Sequence, residues 1–158
     1  MKNLVFVRVD DRLIHGQVIA AWLRAYSNVK HILVIDDKTN SDPFMHEMFK
    51  LLVPDGISIE IRTIDEAEVI LKNELKLPTM IIVKLPLTLK LLMDKGIKFE
   101  KINIGGMGMT FGRKKLFQNV SSTPEENEII KEMINQGVTV EIQIIPAAKS
   151  INLASILK

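Results

Sequence analysis

The sequence predicts an α/β protein built on an open, doubly wound, mostly parallel sheet of six to seven strands with helices on both faces. Apolar β-branched runs alternate with segments of helical period along the 158 residues. Strands separated by helices of about ten residues require right-handed crossovers, which produce parallel strands. The stretch from Met80 to Val83 is apolar without a break, as strands buried on both faces are. We expect a single domain over residues 1–158, since a chain of this length can bury a full core.

The strands are predicted from short β-branched apolar runs that turn residues or charges bound. Asp36 and Asp37 stop the second of them, and the last is rich in valine and isoleucine. The predicted ranges are 4–9, 30–35, 57–62, 79–85, 101–104 and 138–145, with a weaker further strand at 115–120.

The helices are predicted from apolar residues at helical spacing and from capping signals. Asp42 is a candidate N-cap before Pro43, and Thr63 and Thr123 each precede a glutamate by three residues, as in a capping box. Gly96 and Gly137 are placed to end two helices. The predicted ranges are 17–26, 43–52, 64–75, 86–94, 124–136 and the tail 147–157.

The composition excludes several classes of function. With 21 basic and 19 acidic residues the formal net charge is +2, which does not favour a nucleic-acid partner. The absence of cysteine excludes disulfides, thiolate metal sites and a cysteine nucleophile. His31 and His46 have no partner at metal-ligand spacing, so we expect no metal. No apolar stretch approaches the roughly 20 residues of a membrane span, and the apolar run at the N-terminus is too short for a signal peptide.

A glycine cluster at residues 105–108 invites comparison with a dinucleotide-binding loop. The dinucleotide fingerprint follows the first strand and contains a third glycine at a fixed spacing, and this late cluster has neither feature. We interpret it instead as a turn that lets the backbone approach a phosphoryl group, and we expect no cofactor.

The segment that carries the chemistry lies between the first strand and the first helix. Residues 8–17 contain two arginines, two aspartates and His15. The carboxyl ends of the strands are where such sheets place their sites. At a helix N-terminus, free N–H groups favour an anion by about 0.3–1 kcal/mol. Gly16 lets the backbone come close, and Arg12 offers a planar fork that matches phosphate oxygens.

These residues permit two interpretations. A neutral imidazole near pH 7 can attack phosphorus, and phosphoryl transfer requires mainly positioning and charge stabilisation. Alternatively, His15 is a hydrogen-bonded loop residue, and the arginines and aspartates are ion pairs that close one end of the sheet. The residue types alone leave both open.

The segment Val7 to Val18, VRVDDRLIHGQV, resembles the active-site segment of enzyme IIB of the bacterial phosphotransferase system, in its mannose/fructose/sorbose family. The resemblance extends along the chain. It includes the acidic pair at residues 36–37, the run Asn103 to Met107, Glu125–Glu126, and residues 137–142.

The resemblance implies a protein-Nπ-phosphohistidine–sugar phosphotransferase. His15 would accept a phosphoryl group on Nδ1 from a phosphorylated IIA partner. It would then transfer the group to a sugar of the mannose, fructose, sorbose or N-acetylgalactosamine class, imported by IIC/IID membrane subunits. Asp10 and Arg12 would take part in catalysis, and Arg12, Gly16 and Gln17 would bind the phosphoryl group. The protein would be cytoplasmic and peripherally associated with the permease.

Three further expectations concern Arg8, the loop that begins at Gly108, and the basic run at residues 113–115. Arg8 is expected to be structural and paired with a buried carboxylate. The family usually has a histidine after the Gly-Gly-Met run, whereas this chain has Gly108 and a loop that continues to Lys115. The basic run at residues 113–115 is expected to be a solvated loop, or to dock against an acidic rim of the IIA partner.

Two functions from other classes remain open. One is a regulatory domain of the same fold that is phosphorylated or binds a phosphorylated partner. The other is a nucleotide-binding enzyme.

Overall fold

The computed structural model describes residues 1–157 and contains a seven-stranded sheet. The strand order is β3-β2-β4-β1-β5-β8-β9, in which β9 alone runs antiparallel to its neighbour. A separate antiparallel hairpin consists of β6 and β7. The strands are β1 (Leu4–Asp10), β2 (His31–Ile35), β3 (Ser58–Arg62), β4 (Thr79–Val83), β5 (Lys101–Gly106), β6 (Lys114–Phe117), β7 (Val120–Ser122), β8 (Thr139–Ile142) and β9 (Ile151–Asn152).

Within residues 1–157, six helices connect the strands, and the predicted caps account for several of their ends. Asp42 accepts a hydrogen bond from the Phe44 N–H, and both capping boxes, opened by Thr63 and Thr123, are formed. The helices are α1 (Gly16–Ala25), α2 (Asp37–Asn40), α3 (Pro43–Leu52), α4 (Ile64–Lys72), α5 (Pro86–Asp94) and α6 (Pro124–Asn135), and a 3₁₀ turn spans Leu153–Ser155.

The helices cover both faces of the sheet, which confirms the predicted fold class. On one face, buried residues of α4, α5 and α6 pack against the strands, and Leu71, Leu89 and Ile130 are examples. On the other face α1 and α3 pack through Trp22 and Phe49. Each helix therefore buries one apolar stripe against the sheet, which supplies most of its stability.

Two predicted elements were wrong. The range 115–120 is not one strand, because the chain reverses direction through Gln118, whose φ is 50°, between β6 and β7. The tail 147–157 is not an α-helix, because Ile151 pairs with Ile142 on the open edge of β8 and a 3₁₀ turn follows at Leu153–Ser155. In both places strand pairing decided the conformation rather than local propensity.

The position of β1 determines where the site lies. This strand is paired on one side with β4 and on the other with β5. The residues that follow β1 therefore lie at the carboxyl end of the sheet, beside the end of β5 and near residues 143 and 144, which follow β8.

Candidate active site

A tight turn connects β1 to α1 and fixes the backbone of the site. The Leu13 N–H donates to the Asp10 carbonyl at 2.9 Å, and the Arg12 N–H donates to Asp10 Oδ1 at 3.0 Å. Leu13 has a φ of 57°, in the left-handed region, which costs a non-glycine residue about 1–3 kcal/mol. Its side chain and that of Ile14 are buried, and this burial offsets the strain and anchors His15.

Arg8 is a buried cation whose two terminal nitrogens each donate two hydrogen bonds. Its guanidinium donates to Asp10 Oδ2 at 3.2 Å, to Asn103 Oδ1 at 2.6 Å, and to two backbone carbonyls, those of Gln143 at 3.0 Å and Ile144 at 2.9 Å. It also lies 5.1 Å from the centre of the Trp22 ring. Burial lowers the pKa of Arg8, and the charge of Asp10 opposes this shift. The expected pairing of Arg8 with a buried carboxylate is confirmed.

Gly105 and Gly106 make room for these charges. A Cβ on Gly105 would lie 1.8 Å from Arg8 Cζ, and one on Gly106 would lie 2.7 Å from Asp10 Oδ1. Both glycines lie within β5, so the turn predicted at this point is wrong. Their missing side chains accommodate the buried ion pair, since any side chain at Gly105 would occupy the space of the guanidinium.

Asp10 holds two arginines on one buried carboxylate. Its side chain is 1% exposed. Oδ1 accepts from the backbone N–H of Arg12 and from its Nε at 3.2 Å, while Oδ2 accepts from Arg8 and from Arg12 Nη2 at 3.3 Å. Because the side chain of Arg12 is half exposed, part of its fork faces solvent. Asp10 thus orients Arg12, and the group carries more positive than negative charge.

His15 occupies the N-cap position of α1, with extended backbone angles and no side-chain cap on the helix. Its Nε2 is buried, makes no hydrogen bond within the described chain, and lies 3.9 Å from Asp10 Oδ2. The side chain is still 31% exposed, so the open edge of the ring carries Nδ1. Burial lowers the pKa of His15, and the charges of Arg12 and Arg8 add to this against Asp10. The imidazole is therefore neutral near pH 7.

Gly16 and Gln17 are the first two residues of α1 and are exposed beside His15. A Cβ on Gly16 would meet nothing within 4 Å, so the folded chain does not itself require glycine there. The N–H groups of a first helical turn have no partner inside the helix and face outward at this end. Gln17 also borders an open groove of about 630 Å³ between α1 and residues 145–147.

A second polar cluster at the site, centred on Arg113, could not be predicted from the sequence. Arg113, expected in a solvated loop, has a side chain only 6% exposed. It donates to both carboxylate oxygens of Glu126 at 3.0 Å, to the Gly108 carbonyl at 2.8 Å, and to Asp11 Oδ2 at 3.4 Å. The Gly108 N–H in turn donates to Asp11 Oδ2 at 2.7 Å. Burial alone would lower the pKa of Arg113, but Glu126 and Asp11 together raise it.

Other residues singled out from the sequence lie elsewhere. Asp36 caps α2 through Thr39, and Asp37 accepts from the N–H of Ile64, so the acidic pair holds helix ends. His31 is bonded to Ser58 at the amino end of β2, and His46 to the Asn40 carbonyl. Within residues 1–157, no cluster of three histidine, aspartate or glutamate side chains is arranged to hold a metal ion.

No helix among residues 1–157 combines the length and the apolar character needed to cross a membrane.

Comparison with known proteins decides the family. The family model for the sorbose subfamily IIB component of the phosphotransferase system matches residues 4–158. The chain belongs to this family. As a IIB component it is a phosphotransferase of sugar transport.

Relatives of this IIB component carry several sugar names. The sorbose-specific EIIB component of Klebsiella pneumoniae is 24% identical, covering 96% of this chain and 93% of its own length. The N-acetylgalactosamine-specific IIB component 2 of Escherichia coli K12 is 25% identical, covering 99% and 100%. The mannose-specific EIIAB component of the same organism is 28% identical, and the match spans 94% of this chain and 47% of that longer protein.

Solved structures agree with this IIB fold. The manxB protein of Thermoanaerobacter tengcongensis is similar with a TM-score of 0.88 and 31% identity over 97% of this chain and 93% of its own. The IIB domain of the Klebsiella pneumoniae sorbose permease has a TM-score of 0.90 at 24% identity, covering 96% and 94%, and supports the fold.

Proposed function

We propose that this IIB component is a phosphoryl carrier, working as one domain. His15 accepts a phosphoryl group on Nδ1 from a phosphorylated IIA partner and transfers it to the sugar that IIC/IID membrane subunits import. The observation that carries the proposal is the orientation of the His15 ring. Nε2 is buried 3.9 Å from Asp10 Oδ2, while the remainder of the partly exposed ring, with Nδ1, is open at the N-terminus of α1, where His15 is the N-cap residue.

The first transfer follows from this orientation. The carboxylate of Asp10 favours the tautomer with its proton on Nε2, which leaves the lone pair on Nδ1. That lone pair attacks the phosphorus atom, the N–P bond of the donor phosphohistidine breaks, and the donor imidazole keeps the electron pair. Arg12 and the N–H groups of Gly16 and Gln17 would hold the phosphoryl oxygens. Positioning and charge stabilisation are the main requirements of such a step.

The second transfer reverses the role of His15. A hydroxyl oxygen of the sugar attacks the phosphorus atom, the bond from phosphorus to Nδ1 breaks, and the hydroxyl proton is released. The lowered pKa of His15 helps at both steps, because a neutral imidazole is the nucleophile and the leaving group. The protein would act at the cytoplasmic face of the membrane, in peripheral association with IIC/IID. The sugar would be of the mannose, fructose, sorbose or N-acetylgalactosamine class.

Intact-mass spectrometry tests the proposal. The protein is incubated with phosphoenolpyruvate, enzyme I, HPr and a mannose-family IIA. We expect the wild type to gain one acid-labile phosphoryl group and His15→Ala to gain none. His46→Ala is the matched control, since that histidine lies on α3 and bonds a backbone carbonyl, and it should be phosphorylated like the wild type. Equal labelling of His15→Ala would overturn the assignment.

A further inference from the structure

The loop between β5 and β6 places two apolar side chains in solvent beside the proposed phosphoryl site. Phe111 is fully exposed and Met109 is 64% exposed. Two large apolar side chains exposed together on one loop next to a site are candidates for a protein contact, because aromatic residues are enriched among the anchors of such contacts. We call residues 108–113 the rim loop.

The rim loop is fixed at its base. The Gly108 N–H donates a hydrogen bond to Asp11, and the Gly108 carbonyl accepts one from Arg113. Arg113 also donates to Glu126. At the tip, the Arg113 N–H donates to the Thr110 carbonyl at 3.0 Å, closing a turn. Gly112 takes the third place of this turn with a φ of 85°, as a type II turn requires. A contact surface ordered in advance loses little conformational freedom on binding.

The rim loop also borders the reacting groups. Just before it, the Cβ position of Gly106 lies 3.3 Å from Arg12 Nη2, and the loop starts at Gly108, which is bonded to Asp11. A protein that brings a phosphoryl group to His15 would therefore lie close to the base of this loop.

We propose that Phe111 and Met109 are the apolar anchors for the phosphoryl donor, a protein with an apolar hollow next to its phosphohistidine. This inference rests on the proposed function. Charge favours the donor over the acceptor. Before transfer, the half-exposed fork of Arg12 is open to an incoming phosphoryl anion, whereas Arg8 is buried among its acceptors and Arg113 is paired with Glu126 and Asp11. After transfer, the phosphoryl group brings about −1.5 to −2 charges, and that attraction is gone.

The test is the kinetics of phosphorylation by phospho-IIA at varied donor concentration. Phe111→Ala should raise the KM for the donor roughly 5- to 30-fold, the range of a contact anchor, with kcat unchanged. Phe111→Leu should recover most of the loss. The matched control is Leu51→Ala on α3, since Leu51 is 85% exposed and should give wild-type kinetics.

Each other outcome is decisive. If the wild type is phosphorylated and Phe111→Ala has an unchanged donor KM, the rim-loop proposal is overturned and the carrier function stands. If Phe111→Ala slows only the transfer to sugar by the membrane permease, the rim loop belongs to the acceptor instead and the proposal is likewise overturned. If the wild type accepts no phosphoryl group at all, both proposals are overturned.

Discussion

Replacing Gly105 with alanine would disrupt the buried ion pair between Arg8 and Asp10 by adding a single methyl group. The new Cβ would lie 1.8, 2.0 and 2.1 Å from Arg8 Cζ, Nη2 and Nη1, far inside the contact distance of about 3.5–4.0 Å. The guanidinium cannot slide aside, because Asp10, Asn103 and the carbonyls of residues 143 and 144 bind it within the sheet. It must leave some of these acceptors while remaining largely buried.

The size of the effect follows from that displacement. Breaking a buried ion pair so that a charge is left uncompensated costs about 3–5 kcal/mol. A protein of this size has a free energy of unfolding of about 5–15 kcal/mol, so Gly105→Ala removes a large part of it. With a urea m-value of about 2 kcal/mol/M, the midpoint should fall by roughly 1.5–2.5 M.

Urea unfolding followed by Trp22 fluorescence measures this loss. Trp22 is the single tryptophan, it is buried, and it lies against Arg8, so its emission also reports the displaced guanidinium. Gly16→Ala is the matched control, because a Cβ there meets nothing within 4 Å, and its change should stay within about 0.5 kcal/mol. A Gly105→Ala protein as stable as the wild type would refute the assignment of Gly105 as the space that Arg8 requires.

Three further predictions concern the titration of His15 and the Arg113 cluster. The pKa of His15, followed by NMR, should lie below its ordinary value, and Arg12→Gln should raise it, since the charge of Arg12 is a main cause of the lowering after burial; an unchanged pKa would contradict this. Because the unfolded chain then binds a proton on His15 more readily than the folded chain, the free energy of unfolding of the wild type should fall as the pH falls from about 7 through the folded-state pKa. Urea titrations at several pH values should show a smaller fall for His15→Ala than for the wild type. Arg113→Ala leaves two carboxylates without their cation and should cost roughly 2–4 kcal/mol in urea unfolding, whereas Arg113→Lys, which lacks the planar fork, should recover only part; full recovery would argue against the bidentate contact.

Local signals in the sequence predicted the helices best. The helices α3 and α5 begin and end at the predicted residues, since proline at the first position and a cap or glycine at the ends fix them locally. The hairpin of β6 and β7 was missed because its turn uses Gln118 in a conformation that glycine or asparagine usually signals. The tail was missed because its apolar spacing also suits a helix, and only the open edge of β8 selects a strand.

In the site, too, features set by neighbouring residues could be predicted from the sequence, and features set by tertiary packing could not. His15, Arg12 and Asp10 are close in sequence, so their neighbourhood could be predicted from one turn. Which ring nitrogen of His15 is buried depends on packing and could not be predicted. The expectation that Arg113 is solvated was wrong, because a run of basic residues does not indicate which carboxylate will pair with it. Its partner Glu126 lies 13 residues away in the next helix.

The acceptors of Arg8 also set an order of events for the nascent chain. The cation enters with the first strand, yet two of the carbonyls that hold it come 135 and 136 residues later. Such distant contacts close late, since the intervening chain must first be ordered. Until residues 143 and 144 have reached their place, Arg8 lacks two of its four acceptors, and the Asp10 carboxylate beside His15 is not yet fixed by a fully bound Arg8. We therefore expect a chain that ends before residue 143 to be a poor acceptor of phosphoryl groups from a phosphorylated donor.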